Sequence, residues 1–316
     1  MPILPQLKAM FNAQHNAPPM PADVPIAQLR QAIHAMIDQS FIALATPHVR
    51  LPVERDIAIP VDGGEITLRL YRGDAGDAVV PCHVYYHGGG FFLGTLDQGD
   101  TNCRKLAAAL GCAVVSVDYR LAPEHRFPVA VDDSYAALGW VAAHAGELRI
   151  DPTRISVGGG SAGGNLAAVV AQLARDRGGP PIVAQVLEIP VTDFTSTQAL
   201  TFADGIQIAS EKAYAPLYLR DADDARDPRA SPLLAETLAG LPPALVACAE
   251  YDQLQPEGQA YAERLAASGV PTLYGCWDGQ FHGSQGFDRV IPDEAAAYAD
   301  AIVDFLRKSY AAPTSR

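Results

Sequence analysis

The sequence predicts an α/β fold, a mostly parallel sheet with helices on both faces. Three features of the 316 residues predict it. β-Branched apolar runs alternate with longer stretches of helical periodicity. The segment Gly159-Gly160-Ser161-Ala162-Gly163 stands between one such run and the helical stretch that follows it. A second glycine segment, His87-Gly88-Gly89-Gly90, closes an earlier run. With 49% apolar and 19% charged residues, the chain has the composition of a globular enzyme with a large core.

The expected strands are residues 56–60, 65–71, 82–87, 113–119, 154–159, 184–191, 244–250 and 272–277. Helical patterns fall on residues 102–110, 129–144, 162–177, 256–268 and 293–307. Val61-Asp62-Gly63-Gly64 is a hairpin-like turn, so the sheet should begin antiparallel and continue parallel. Two regions break the alternation. Residues 1–50 are Pro-rich at 17–25 and helical at 27–45, and residues 195–229 interrupt the strand rhythm. Both are expected to form a cap over the mouth of the sheet, around a core of residues 51–194 and 230–316.

Net charge is −13, which disfavours nucleic acid and anionic membranes as partners. The cluster Asp221, Asp223, Asp224 and Asp227 reads as a solvated loop. The N-terminus has a proline inside its only short apolar run, so it reads as neither signal peptide nor membrane span, and a cytoplasmic location is expected. Five cysteines, an odd count without a CxxC pair, argue against a disulfide scaffold or zinc site. Cys82 and Cys248 fall in strands and read as core residues.

Gly159–Ser161–Gly163 fits a nucleophile elbow. The serine must sit on a tight, strained strand-to-helix turn, and side chains at the flanking positions would collide with the neighbouring strand and helix. The new helix then aims its first amides at the place where negative charge develops. A phosphate-binding glycine turn is the competing reading, but neither a Walker lysine nor a GxGxxG with an acidic partner is present. After such an elbow the acid and the histidine follow in that chain order. Of eight histidines only His282 follows Ser161, in Phe281-His282-Gly283-Ser284 after the last strand. The acid should end the preceding strand; Asp252 is the first choice, with Glu250 and Asp278 as competitors. It would hold the imidazole tautomer and stabilise the imidazolium. Backbone amides of Gly88 and Gly89, with that of Ala162, are the expected oxyanion donors, and His87 is expected to orient their loop rather than move protons.

Taken together these segments resemble the hormone-sensitive-lipase-like esterases of bacteria, members of the α/β-hydrolase fold. The resemblance spans residues 50–307. It includes Tyr86-His87-Gly88-Gly89-Gly90-Phe91, Asp118-Tyr119-Arg120-Leu121-Ala122-Pro123-Glu124-His125 with Phe127-Pro128, and the elbow through Gly164. It continues with Pro190-Val191-Thr192-Asp193, Ala249-Glu250-Tyr251-Asp252-Gln253-Leu254 and Phe281-His282-Gly283. The resemblance implies an eight-stranded sheet, a helical cap, and cofactor-free and metal-free hydrolysis of short- to medium-chain carboxylic esters. Asp118, Arg120 and Glu124 become scaffold, and a homodimer is compatible with it. Two departures stand out. Position 160, often a carboxylate or hydroxyl residue in the family, is Gly160, and Glu188 interrupts the apolar sixth strand. Glu188 is therefore expected to supply, from the neighbouring strand, the carboxylate absent at position 160. Gln253 also stands where proline is common.

The chemistry expected is acyl transfer to Ser161 and hydrolysis of the acyl-enzyme, on a small-molecule ester. Amide, N-acetyl or O-acetyl hydrolysis would use the same machinery. A ligand receptor on this fold is the alternative from a different class, and a complete triad argues against it. Substrate-lining candidates are Phe91, Phe92, Leu93, Phe202, Ile206, Ile208, Tyr214, Leu217 and Tyr218, which equally fit packing of cap on core.

Overall fold

The computed structural model describes residues 2–16, 24–46, 49–74, 78–197, 200–202, 206–208 and 212–312. Most of the Pro-rich stretch, 17–23, and parts of the second cap region, 198–199, 203–205 and 209–211, lie outside the described residues. The strands are β1 Val53–Val61, β2 Gly64–Arg72, β3 Val80–Tyr86, β4 Ala113–Asp118, β5 Ile150–Gly160, β6 Ile182–Glu188, β7 Ala244–Tyr251 and β8 Thr272–Phe281. They form one sheet in the order β1-β2-β4-β3-β5-β6-β7-β8. β1 and β2 are a hairpin closed at Val61 and Gly64, β2 runs antiparallel to β4, and all later pairings are parallel. Each of the eight strand expectations lies on a strand of this sheet.

The central strands β3 to β7 are buried on both faces, which is why they read as continuous apolar runs instead of alternating ones. The longer helices are α1 Lys8–His15, α2 Ile26–Leu44, α3 Leu96–Leu110, α4 Val129–Ala143, α5 Ala162–Asp176, α6 Gln255–Ala267 and α7 Pro292–Ala311. α3 and α7 touch each other on one face of the sheet, and α4 and α5 touch on the other. α3 starts earlier than its apolar pattern suggests. Thr95 caps it, accepting from the Gln98 amide at 3.3 Å, and the polar first turn carries Asp97; Gly111, with φ 62°, ends it.

Two strands differ from expectation by several residues at their C-terminal ends, and both ends lie next to the site. β6 stops at Glu188 rather than running to Val191. Ile189 turns to φ 41° and Pro190 has no amide to continue the ladder. β8 runs on past Trp277 to Phe281 through a bulge, with Phe281 opposite Tyr251. Glu250 fixes that bulge, accepting the Gly279 amide at 2.7 Å.

The N-terminal segment docks on the same end of the sheet. Leu7 and Phe11 pack with Tyr251, Phe281 and Ile291, and the Leu4 amide donates to the Gly279 carbonyl at 2.9 Å. Between β6 and β7, a short hairpin pairs Leu200–Thr201 with Gln207–Ile208 and a single turn covers Ala215–Tyr218. The acidic cluster beyond it is not wholly solvated: Asp224 is buried, because the Arg220 guanidinium and amide both bond its carboxylate.

One buried ion pair ties this region to the core. Lys212 Nζ donates to Glu257 Oε2 on α6 at 2.7 Å and to the Asp193 carbonyl at 2.9 Å. Glu257 Oε1 in turn accepts the Thr192 amide at 2.8 Å. The two side chains are 3% and 4% exposed, so removing one leaves a stranded charge in the interior. Lys212→Ala is expected to cost about 3–5 kcal/mol in urea unfolding, and pairing Lys212→Met with Glu257→Gln is expected to restore most of that loss.

Candidate active site

Ser161 stands between β5 and α5 with φ 58° and ψ −114°, a strained conformation for a residue bearing a side chain. Backbone bonds hold it there: its amide donates to the Glu188 carbonyl at 2.8 Å, and its carbonyl accepts the Asn165 and Val191 amides at 3.0 and 3.3 Å. Asn165 anchors the helix start, donating to the Val191 and Ala230 carbonyls at 2.8 and 2.7 Å. The flanking glycines meet β3 closely. A Cβ would lie 2.2 Å from the Tyr86 carbonyl oxygen if placed on Gly159, and 1.9 Å from it if placed on Gly163.

His282 follows the β8 bulge. Its Nε2 lies 3.0 Å from Ser161 Oγ and its Nδ1 lies 2.7 Å from Asp252 Oδ2. The Asp252 side chain is fully buried, and its other oxygen accepts the Leu254 amide at 2.9 Å. An ionised carboxylate can only accept, so Nδ1 carries the proton and Nε2 is free to take one from the serine. Burial works against the imidazolium, but the charge and hydrogen bond of Asp252 outweigh it and raise the pKa of His282 above its ordinary value. Of the competing carboxylates, Glu250 is committed to the bulge and Asp278 is exposed.

The His87–Gly90 loop passes in front of the elbow. A Cβ on Gly88 would lie 3.7 Å from Ser161 Cβ and 2.9 Å from the Gly160 carbonyl oxygen. Gly89, at φ 119°, opens a tight turn in which its carbonyl accepts the Leu93 amide at 2.8 Å. The Gly88 and Gly89 amides and the first amide of α5, that of Ala162, thus stand on backbone packed around the nucleophile. His87 is buried and stacks on Tyr119 with ring centroids 4.2 Å apart. Its Nδ1 donates to the Gly88 carbonyl at 2.8 Å, and burial depresses its pKa to about 4. It is neutral at physiological pH and braces the loop.

Residues beyond the motifs complete the setting. Arg30 of α2 donates from Nε to the Phe92 carbonyl and from Nη2 to the Ala122 carbonyl, both at 2.7 Å, and pairs with Glu124. His34, one turn on, accepts the Gly94 amide at 3.1 Å. The end of α2 meets the loop after His282: Asp288 Oδ1 accepts the Thr46 amide at 2.7 Å, and the Arg289 amide donates to the Leu44 carbonyl at 3.0 Å. Nothing local in the sequence marks Arg30 or His34, because their partners lie about 60 to 94 residues away. Arg120, expected as scaffold, forks onto Asp133 at 2.9 and 2.7 Å.

The substrate-lining candidates separate into two groups. Phe91 is fully buried and stacks on Tyr218 at 3.8 Å, and Tyr214 joins them. Phe92, Leu93 and Leu217 pack with this group. Phe202 stacks instead on Tyr251 at 4.4 Å, near Ile206 and Ile208. Glu188 and Gly160 are register partners on adjacent strands, and the Glu188 carboxylate accepts the Tyr298 hydroxyl at 2.9 Å.

The family model described as an alpha/beta hydrolase fold matches residues 83–286, from β3 through the histidine loop. The chain belongs to the α/β-hydrolase family. Within it, the motifs place the chain in the hormone-sensitive-lipase-like branch. Carboxylic ester hydrolase LipN of Mycobacterium tuberculosis is 48% identical over 72% of this chain, which spans 63% of that relative's length. Carboxylesterase NlhH of the same species is 42% identical over 85% of this chain and 87% of its own. Among solved structures, a hyperthermophilic esterase of Pyrobaculum calidifontis superposes with a TM-score of 0.87 at 37% identity, covering 99% of this chain and 100% of that one.

With His282 as the proposed general base, kcat/KM should be present above the raised imidazole pKa and fall as pH drops through it, at an apparent pKa above 6.5. Asp252→Asn leaves burial opposed only by the smaller effect of the Glu257 charge, so a pH–rate series should show the acid limb moved to lower pH, with kcat reduced about 10^4-fold. A Cβ on Gly160 meets nothing within 4 Å, so Gly160→Ala should fold normally, whereas Gly163→Ala should lose activity and much of its stability in thermal unfolding.

Proposed function

We propose that the protein is a serine carboxylesterase that hydrolyses small carboxylic esters of short or medium acyl chain through an acyl-enzyme on Ser161. The observation that carries this reading is the continuous line from Asp252 through His282 to Ser161 Oγ, at 2.7 and 3.0 Å. The esterase relatives described above support it.

Ser161 Oγ attacks the ester carbonyl as its proton passes to His282 Nε2. The tetrahedral oxyanion is received by the Gly88, Gly89 and Ala162 amides at the positive end of α5. His282 then gives its proton to the leaving alkoxide, and the alcohol departs. Water, deprotonated by the same nitrogen, attacks the acyl carbon and frees the acid. Asp252 keeps Nδ1 protonated throughout and offsets the imidazolium charge. Residues 1–50 and 195–229 act as the cap around the core of residues 51–194 and 230–316, with the first group pinned by Arg30 and the second by Lys212.

The test is hydrolysis of p-nitrophenyl esters from acetate to dodecanoate. Turnover is expected to be highest for short and medium chains and to drop at least about 10^4-fold in Ser161→Ala. Undiminished turnover in that variant would remove Ser161 as nucleophile, and steady activity up to dodecanoate would overturn the chain-length assignment.

A further inference from the structure

On the sheet face covered by α3 and α7, a cavity of about 490 Å³ lies behind the nucleophile elbow. Its polar lining includes Tyr85, Lys105, Glu188, Asp288, Tyr298 and Asp300, and alanines and branched aliphatic residues of α3 and α7 form much of the rest. Glu188 is its innermost charge-bearing group, on the strand beside the elbow. Because Glu188 and Gly160 are partners in parallel strands, their side-chain positions project to the same face. That of Gly160 opens on empty space, so nothing at position 160 fills the room beside Glu188.

The carboxylate of Glu188 lacks what a carboxylate inside a protein normally has. Its hydrogen-bond partner among the described residues is the Tyr298 hydroxyl, which engages only Oε2. No basic side chain pairs with it among the described residues. Lys105, the one ammonium group in the lining, is held by Asp288. His83 is no counter-ion either, since burial depresses its pKa to about 3 and its Nδ1 bonds Ser156 at 2.7 Å. The lining therefore carries three carboxyl groups, Glu188, Asp288 and Asp300, against one ammonium. Glu188 is half-buried; a carboxylate withdrawn from water without a cation either takes up a proton or is completed by one from outside, and this withdrawal does push the pKa of Glu188 up. Tyr85 and Tyr298 line the cavity as well, and aromatic rings attract a cation.

We propose that this cavity binds an alkylammonium ion, with the Glu188 carboxylate as its counter-ion, the Tyr85 and Tyr298 rings beside the charged head, and the aliphatic walls around the chain. The occupant would sit directly behind the catalytic serine, because the Glu188 carbonyl is the acceptor of the Ser161 amide. The inference goes beyond the esterase reading and does not depend on it.

The experiment is calorimetric titration of the full-length Ser161→Ala protein at pH 7.5 with n-hexylammonium and, separately, with 1-hexanol, a neutral ligand of the same length. Saturable hexylammonium binding at least tenfold tighter than that of hexanol is expected. Glu188→Gln, which keeps the acceptor for Tyr298, should weaken it at least tenfold. Ala299→Trp, at an exposed position on the cavity wall, should also weaken it, and thermal unfolding of both variants establishes that they are folded. Equal binding of amine and alcohol, indifference to Glu188→Gln, binding that survives Ala299→Trp, or no binding at all would each overturn the proposal. Since the protein titrated has no nucleophile, these outcomes stand apart from the ester-hydrolysis test.

Discussion

Gly163 passes so near the end of β3 that any side chain there would sit inside the Tyr86 carbonyl group. This contact organises the molecule, because two catalytic parts leave from the same point. β3 runs directly into the glycine loop, and β5 runs directly into the serine. Pressing the two backbones together fixes the distance between nucleophile and amide donors before any side chain is considered. The cost is a strained serine and glycines that cannot be exchanged. That cost is offset by the bonds from Glu188, Asn165 and Val191 that over-determine the turn.

Around that fixed centre, the histidine and its acid are delivered by adjacent strands of unequal length. β7 stops at Tyr251, so Asp252 falls on the loop just beyond it. β8 ends level with it, Phe281 opposite Tyr251, because the bulge takes up its extra residues, and His282 then falls against Asp252. Glu250 accepts the Gly279 amide and holds the bulge open. An acidic residue two positions from Asp252 therefore shapes the strand end that carries His282. The raised imidazole pKa follows from the same placement, as Asp252 is near enough and dry enough to outweigh the desolvation of the ring.

Most of this was legible in the sequence because it is local. The elbow, the glycine loop and the histidine each announce themselves within a few residues, and parallel strands buried on both faces are continuous apolar runs. What was not legible is carried partly by local backbone geometry and capping and partly by contacts between distant parts of the chain. Ile189 looks like strand until its positive φ and the following proline are known. The polar first turn of α3 conceals a helix start that only the Thr95 cap reveals. Asp224 looks like surface charge until Arg220 is seen folded onto it. Arg30, His34, Lys212 and Glu257 have no motif at all, since each gains its role from a partner that tertiary packing supplies. The aromatic candidates were ambiguous for the same reason: Phe91 and Phe202 look alike in sequence, yet one lies in the main core and the other beside the acid loop.

The N-terminal helix pair touches the glycine loop through Arg30 and His34, the β8 bulge through Leu4, and the segment after His282 through Leu44 and Thr46. On a ribosome, then, the first 46 residues emerge early and find their last docking partners only when residues 279–289 have been made. Contacts of such sequence separation close late and slowly. Between residues 163 and 282 the growing chain carries the elbow and the glycine loop but not the proposed base. The proposed site is thereby inert until residue 282 has been added.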